Sequence, residues 1–322
     1  MPSQPPPDPL GTAPDARVGV LVVHGIGEQS EEDFGVAFIA AVRERLAGLG
    51  VAPARVAFRR GYWADLLNAR ERALLAEAAA GGPLRWGALR GFVVNALGDA
   101  VAYRRGTADR NNLYYDVHAR LLAHLRALRA TLGGDAPLVV VAHSLGSVIA
   151  SDFVWDAQHP ERRCGVAAEA AGGSDFERMR TLAGLVTLGS NIPLFTLALP
   201  RVVAVAPPRA SPALAPAVRA VAAWHNYYDP DDVLGWPLRT LDPGGPLGPG
   251  EWAYADAVDA DHAVNAGGPL TAWNPLSHTA YWRDAGVLDA AATQIAAVAR
   301  AAGPPDDGAV KRGAGAAETS RP

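Results

Sequence analysis

Short runs of apolar residues alternate along the chain with longer stretches in which apolar residues recur at helical spacing. The first run, VGVLVV, covers residues 18–23, and a helical pattern follows over residues 32–47. Later runs in ARVAFRRGYW, APLVVVAH, LAGLVTLGS and VAAWHNYYD have similar length. Runs that are apolar on both faces and separated by helices are typical of buried parallel strands. The pattern therefore predicts an α/β fold, with a mostly parallel central sheet covered by helices on both faces.

The segment before the third strand is long and helical by pattern. It covers residues 65–132 and carries an apolar stripe at three- and four-residue steps, which predicts a helix face that packs on the core. The stripe consists of Leu89, Phe92, Val93, Leu97, Ala100 and Val101. Residues 1–17 are rich in proline and residues 303–322 are poor in apolar side chains, so we expect both ends to be disordered. We expect one domain over residues 18–302, since no linker divides it.

Composition narrows the class of protein. The formal net charge is −4, which disfavours a nucleic-acid-binding protein, because such proteins usually present a basic surface. Cys164 is the only cysteine, so no intrachain disulfide can form. The first residues lack the basic start and apolar core of a signal peptide. We therefore expect a cytoplasmic protein that does not bind nucleic acid.

The third apolar run leads directly into the pentapeptide AHSLG, after which a helical pattern begins. This fits the nucleophile elbow G-x-S-x-G, with Ala142 in place of the first glycine. The elbow holds its serine in a strained turn between strand and helix, so it needs small residues two before and two after the serine. Ala142 and Gly146 meet that need around Ser144. An ordinary helix start with a capping serine would show the same five residues.

A glycine-containing turn, VHGIG, follows the first strand. Such a turn can direct backbone N–H groups at the oxygen that becomes negative when an ester carbonyl is attacked. The partner donor would be the backbone N–H of Leu145, the residue after the serine. The stretch GIGEQS also resembles a dinucleotide-binding G-x-G-x-x-G turn. Ser30 stands at the third glycine position and no strand ending in an acid follows at the expected distance, which disfavours that reading.

A serine nucleophile needs a histidine base and an acid that orients the base, and on this scaffold their chain order is serine, acid, histidine. The fifth strand leads into NYYDPDDV, which offers Asp229, Asp231 and Asp232. Downstream of these acids the chain contains His262 and His278. We favour His278, because it lies in a loop just before a helix, whereas His262 is flanked by acids and is typical of a solvated surface.

Taken together, VHGIG, AHSLG, YDPDDV and SHTAYW resemble the motifs of the serine lipase and esterase branch of the α/β-hydrolase superfamily. The first two are similar to those of small bacterial lipases. The ending is similar to DDHD-type phospholipases and to bacterial hydrolases of unassigned substrate. The resemblance implies an α/β-hydrolase fold with residues 65–132 as a helical insertion between the first strand and the elbow. It also implies an oxyanion hole formed by the N–H groups of Ile26 and Leu145.

The same resemblance favours Asp232 as the acid, because an apolar pair in DVLGWPL follows it, as is common in this superfamily. Asp229 is the alternative, but Pro230 after it suggests a role in shaping the turn. We expect Asp231 to face solvent. The predicted catalytic residues are therefore Ser144 as nucleophile, His278 as general base and then acid, and Asp232 as the group that holds the imidazole.

The predicted activity is hydrolysis of a small-molecule or lipid acyl ester through an acyl-enzyme, as in carboxylesterases and lipases. We expect no metal and no organic cofactor, because no zinc-ligand spacing is present and the triad is chemically complete. The alternatives are a non-catalytic binding protein of the same fold, and an acyltransferase or thioesterase that uses the same triad. Residues 192–206 form an apolar stretch that could be a lid, a peripheral membrane contact, or a segment that packs on the domain. We favour packing on the domain.

Overall fold

The structure of the chain is a computed structural model. The residues it describes are 15–25, 30–82, 101–103, 112–162, 166, 169–170, 172–266 and 275–303. The apolar stripe residues Leu89 to Ala100 and the predicted oxyanion donor Ile26 lie outside these ranges, as do residues 1–14 and 304–322.

The described residues form one six-stranded sheet in the order β2-β1-β3-β4-β5-β6. Its strands are β1 (Val18–Val23), β2 (Val56–Gly61), β3 (Leu138–His143), β4 (Leu182–Leu188), β5 (Ala223–Tyr228) and β6 (Ala260–Ala263). Every neighbouring pair is parallel. All positions of β1, β3 and β4 are buried, because helices cover both faces of the sheet. The α/β class and the five predicted strands are confirmed.

β6 is the strand that the apolar pattern did not predict. Its sequence is ADHA, and three of its four positions are half-buried while the last is exposed. It pairs only with β5, so it forms one edge of the sheet in the described part of the chain. An edge strand with little buried surface needs no apolar run, and the sequence therefore carries no strand signal here.

The longer helices are α1 (Val36–Gly48), α2 (Asp65–Ala80), α3 (Leu113–Leu132), α4 (Leu145–Gln158) and α8 (Ala285–Ala301). Short helices are α5 (Ile192–Thr196), α6 (Pro216–Arg219) and α7 (Tyr254–Ala257). A 3-10 helix spans Pro275–Arg283, and single 3-10 turns lie at Pro53–Arg55, Pro160–Arg162 and Pro208–Ala210. No helix within the described residues combines the length and the apolar composition that crossing a membrane requires.

Local signals explain where several helices begin and end. The Asn112 side chain accepts a hydrogen bond of 2.9 Å from the N–H of Tyr115, which caps the start of α3, and Gly133 ends that helix with φ 72°. The helix predicted from residue 32 instead begins at Val36. Gly35 has φ 72°, a left-handed conformation that an α-helix cannot include, so the helix starts after it.

Two apolar layers lie on opposite faces of the sheet. On one face α3 and α4 contribute Leu121, Leu125 and Phe153, and these helices pack against β1, β2 and β3. On the other face α1 and α8 pack together through residues such as Phe38 and Ile295. Truncating one of these buried side chains to alanine is expected to lower the free energy of unfolding by about 2–5 kcal/mol.

Two expectations about packing need correction. Val101, the one described residue of the predicted core stripe, is 65% exposed, so its side chain does not pack in the core. Ala16 and Arg17 fall in the arm that was predicted to be disordered, yet Ala16 is buried and the N–H of Arg17 donates to the carbonyl of Arg55 at 2.8 Å. The folded domain therefore begins before β1.

Candidate active site

The candidate site lies where the carboxyl ends of β1, β3, β4 and β5 meet at one edge of the sheet. His24 follows β1 and Ser144 follows β3, while Asp232 lies in the loop after β5. Because all of these strands are parallel, residues that directly follow them come together although they are distant in sequence.

Ser144 occupies a sharp turn between β3 and α4. Its φ is 53° and its ψ is −129°, and it is one of two non-glycine residues with positive φ among the described residues. Its N–H donates to the carbonyl of Leu188 at 2.9 Å, and its carbonyl accepts from the N–H and the hydroxyl of Ser147 at 2.8 and 2.6 Å. These bonds hold a conformation that costs about 1–3 kcal/mol. Ser144 makes no side-chain capping bond to α4, unlike a serine that only starts a helix.

Two glycines allow the turn after β1 to touch the elbow. A Cβ atom at Gly146 would lie 2.3 Å from the carbonyl oxygen of His24. A Cβ atom at Gly25 would lie 2.4 Å from the Cβ of Ser144. Real Cβ atoms do not approach other atoms so closely, so both positions require glycine while the backbones keep this separation. The HG turn of the sequence is thus directly beside the serine, next to the start of α4 at Leu145.

Ser144, His278 and Asp232 form one continuous chain of hydrogen bonds. The Oγ of Ser144 lies 2.6 Å from the Nε2 of His278, and the Nδ1 of His278 lies 2.7 Å from the Oδ2 of Asp232. A carboxylate only accepts hydrogen bonds, so Nδ1 carries the proton and Nε2 accepts from the serine hydroxyl. All three residues are buried, and Ser144 has no exposed surface.

The environment of Asp232 keeps it ionised. Burial by itself would raise its pKa, but the hydrogen bond and charge of His278 lower it, and so do bonds from the N–H of Leu234 and the hydroxyl of Tyr281. The net effect is a pKa below the ordinary value of an aspartate. A negative carboxylate at this position stabilises the imidazolium that forms when His278 takes a proton.

The alternative acid, Asp229, makes different contacts. Its Oδ1 accepts a hydrogen bond of 2.9 Å from the N–H of Asp231, and its Oδ2 accepts one of 2.7 Å from the N–H of Ala266. Both oxygens therefore shape the backbone of the loop. Asp231 is exposed to solvent. Of the three acids in this loop, Asp232 is the one in hydrogen-bond contact with His278.

His262, the alternative base, lies in β6 and not in a surface loop. Its ring stacks on Tyr227 with centroids 4.7 Å apart, and its Nε2 is 3.2 Å from the Nδ1 of His225. The residue is only half-buried, in agreement with the prediction that it has contact with solvent. The structure brings His278, and not His262, to Ser144.

Two further histidines support the site, and the sequence analysis did not assign them a role. The Nε2–H of His143 donates to the carbonyl of His278 at 2.6 Å, which holds the backbone of the proposed base. The Nδ1–H of His24 donates to the carbonyl of Gly25 at 2.7 Å, and its Nε2 accepts from the N–H of Trp63 at 3.1 Å. Burial lowers the pKa of His24 to about 4 and, with the charge of His278, that of His143 to about 3. Both rings are therefore neutral near pH 7.

Residues 192–206, which suited a lid, a membrane contact or packing, are partly buried and partly exposed. Ile192 and Ala204 are buried in the domain. Leu197 is 84% exposed and Leu199 is 41% exposed. The segment therefore packs on the domain at both ends and presents leucines to solvent between them, and its role as a lid or docking surface stays a prediction.

A serine hydroxyl within hydrogen-bond distance of an imidazole that a carboxylate orients is suited to nucleophilic attack. Within the described ranges, no three His, Cys, Asp or Glu side chains are grouped so that they could hold a metal ion. No protein-family model matches the chain, and a search of curated proteins finds no significant match. The geometry of Ser144, His278 and Asp232 is thus the main basis for proposing a function.

Proposed function

We propose that the protein is a serine hydrolase with an α/β-hydrolase fold, which cleaves a carboxylic ester through an acyl-enzyme. The observation that carries this proposal is the hydrogen-bonded chain from Ser144 through His278 to Asp232, with contacts of 2.6 and 2.7 Å. The serine also has the positive φ of a strained strand-to-helix turn. Strain of this kind is retained only where surrounding contacts enforce it, and it is common at catalytic positions.

In the first half of the reaction, the Oγ of Ser144 attacks the ester carbonyl while the Nε2 of His278 takes its proton. The resulting oxyanion would be stabilised by the N–H of Leu145 at the start of α4 and, as the sequence predicts, by that of Ile26. The imidazolium, paired with Asp232, then gives its proton to the departing alcohol. These steps leave the acyl group bonded to Ser144 and His278 neutral.

In the second half, water attacks the acyl-enzyme and His278 takes one of its protons. When the tetrahedral intermediate breaks down, the imidazolium returns a proton to the Oγ of Ser144 and the carboxylic acid leaves. His24 and His143 are not the base, because His24 bonds to Gly25 and Trp63 and His143 to the backbone of His278. Their function in this mechanism is to hold the turn after β1, beside the serine, and the backbone of His278.

Labelling with a fluorophosphonate separates an enzyme from a binding protein of the same fold. We expect the purified protein to form a covalent adduct that mass spectrometry locates on Ser144, and to hydrolyse p-nitrophenyl esters in the presence of EDTA. Ser144→Ala should abolish the adduct and lower kcat by about 10⁵-fold or more. Ser151→Ala removes a serine from the same helix and should leave both readouts unchanged.

The absence of any adduct, together with the absence of ester hydrolysis, would favour a non-catalytic binding protein. A screen of p-nitrophenyl esters of increasing chain length then identifies the acyl group that the site accepts. If product appears only when an alcohol or thiol acceptor is added, the triad carries out acyl transfer and not hydrolysis.

A further inference from the structure

The hydroxyl of Tyr281 joins two groups of the loop that carries the acid. It donates a hydrogen bond of 2.9 Å to the Oδ2 of Asp232 and accepts one of 2.8 Å from the N–H of Asp229. The Oδ2 of Asp232 is also the atom that His278 contacts, at 2.7 Å. The Oδ2 of Asp232 therefore accepts hydrogen bonds from both the Tyr281 hydroxyl and the Nδ1–H of His278. The Tyr281 side chain is fully buried.

The surrounding backbone leaves room for this phenol and for little else. A Cβ atom at Gly189, where φ is 52°, would lie 2.6 Å from the Cε2 of Tyr281. A Cβ atom at Gly235 would lie 2.5 Å from the Oδ2 of Asp232 and 2.9 Å from the hydroxyl of Tyr281. Two chain segments, one after β4 and one after Asp232, thus approach the pair closely because both have glycine there. The contact between Tyr281 and Asp232 is sterically confined on both sides.

The charged groups around the Tyr281 hydroxyl keep it protonated, so that it can donate a hydrogen bond. The titratable groups that face it are Asp232 and Asp229 from the acid loop, His143 from the end of β3, with ring centroids 5.8 Å apart, and His278, at 6.4 Å. Burial and the negative charge of Asp232 raise the pKa of Tyr281, so its hydroxyl stays protonated. The Asp229 carboxylate is bonded to backbone N–H groups and does not compete for the proton.

We propose that Tyr281 is a positioning residue that acts on His278 through Asp232, so that the site is a chain of four side chains and not three. The inference rests on the proposed function of Ser144. The phenol holds Oδ2 in line with the imidazole and takes up part of the negative charge of the carboxylate. Without it, Asp232 attracts the imidazolium more strongly, and His278 holds its proton to higher pH.

Tyr281→Phe tests this role, because it keeps the ring that fills the space and removes only the hydroxyl. We expect kcat to fall about tenfold at pH 8, with KM changed less than about twofold, since one charge-assisted hydrogen bond is lost. The acidic limb of the pH profile should move to higher pH, so that the loss of rate at pH 6 exceeds the loss at pH 8.

Tyr114→Phe is the matched control. The hydroxyl of Tyr114 donates to the Oδ2 of Asp156 at 2.7 Å, and Tyr114 is also fully buried, but its partner lies near the far end of α4 from Ser144. Both variants should lower the melting temperature. Only Tyr281→Phe should move the acidic limb, and an unmoved limb in that variant would reduce Tyr281 to a packing role and refute the inference.

A spectroscopic measurement separates this inference from the proposed function. In protein with ¹⁵N-labelled histidine, the midpoint of the His278 titration should rise in Tyr281→Phe, whether or not any ester is hydrolysed. A shifted midpoint without hydrolysis in the wild type contradicts the proposed function and supports the coupling, whereas hydrolysis with an unshifted midpoint contradicts the coupling. If the variant does not fold, the wild type provides a second test. It should show a nuclear Overhauser effect between the Tyr281 hydroxyl proton and the His278 Nδ1–H, and the absence of this effect would contradict the coupling.

Discussion

Among the residues that the structure describes, two buried clusters each bring together a histidine, an aspartate and a tyrosine, and one of them also includes the hydroxyl of Ser144. In the second cluster the hydroxyl of Tyr114 donates to the Oδ2 of Asp156 at 2.7 Å, and the hydroxyl of Tyr103 is 2.8 Å from the Nε2 of His118. The Nδ1 of His118 lies 3.3 Å from Asp156 but is not aligned for a hydrogen bond. In the candidate site the corresponding contact of His278 is 2.7 Å and aligned.

The two clusters differ in the secondary-structure elements on which their residues lie. His118 and Asp156 project from the middle of α3 and the end of α4, and the rings of Tyr114 and Phe153 pack against His118 at 4.0 and 5.5 Å. Ser144 and Asp232 instead lie in turns at the carboxyl ends of strands. The strained turn that aims a hydroxyl at the imidazole is the element that the second cluster lacks.

After Ser144→Ala, the largest expected effect concerns the acid. Asp232→Asn keeps the size of the side chain but cannot hold Nδ1–H of His278 in the same way, so the imidazole takes the wrong tautomer and kcat should fall by about 10⁴-fold. Hydrolysis of a p-nitrophenyl ester measures this loss. Asp229→Asn should cost far less and Asp231→Asn should be nearly neutral, because their carboxylates lie on backbone groups or in solvent. If Asp232→Asn kept the wild-type kcat while Asp229→Asn lost activity, Asp229 and not Asp232 would be the acid that orients His278.

The next effect concerns the elbow backbone. In Gly146→Ala the new Cβ would lie 2.3 Å from the carbonyl oxygen of His24, so the turn after β1 or the elbow must shift. A displacement near 1 Å at the reacting groups is expected to lower kcat by about 10²-fold. Gly48→Ala is the control, since a Cβ there meets no atom within 4 Å and alanine favours the helix. Equal kcat values for the two variants would mean that the close approach has no role in positioning Ser144.

In the second cluster, we expect substitution of the aspartate to lower stability and to leave kcat nearly unchanged, the opposite of the effect expected for Asp232→Asn. Asp156→Asn removes a charge from a buried network that includes Tyr114 and His118, and we expect it to lower the free energy of unfolding by about 1–3 kcal/mol. Urea denaturation measures this change. Its kcat at a temperature where it is folded should stay within about twofold of the wild type. A large loss of kcat in a folded Asp156→Asn protein would show that the two clusters are coupled.

The last effect is the loss of stability at acidic pH. His24 and His143 have pKa values lowered to about 4 and about 3, chiefly by burial, whereas in the unfolded chain they bind protons near pH 6.5. Unfolding therefore takes up protons, and stability that is complete above pH 6.5 is lost as the pH falls toward 4. We expect His24→Gln to reduce the slope of stability against pH by up to ~1.4 kcal/mol per pH unit in that window. An unchanged slope in urea titrations from pH 7 to 4.5 would contradict a neutral buried His24.

Local patterns in the sequence were enough to predict the α/β scaffold and to single out Ser144 as the candidate nucleophile. The apolar runs of β1 to β5 predict buried strands because a strand covered on both faces has no polar side. Ser144 could be singled out because AHSLG joins such a run to a helical pattern, and the requirement for small flanking residues acts within five positions. The chain order serine, acid, histidine that is expected on this scaffold narrowed the candidates for the base to His262 and His278.

Other features depended on contacts between residues far apart in the chain, and no local pattern carries those. Three acids lie within four positions after β5; the resemblance favoured Asp232, but its contacts with His278 and Tyr281 depend on the packing of the 3-10 helix against that loop. β6 is an edge strand without an apolar run, and the roles of Tyr281, His143 and His24 depend on partners that other elements supply. Sequence periodicity reports which face of an element is buried. The atom that a buried polar group meets is decided by the register and close approach of elements, here made possible by glycines at 25, 146, 189 and 235.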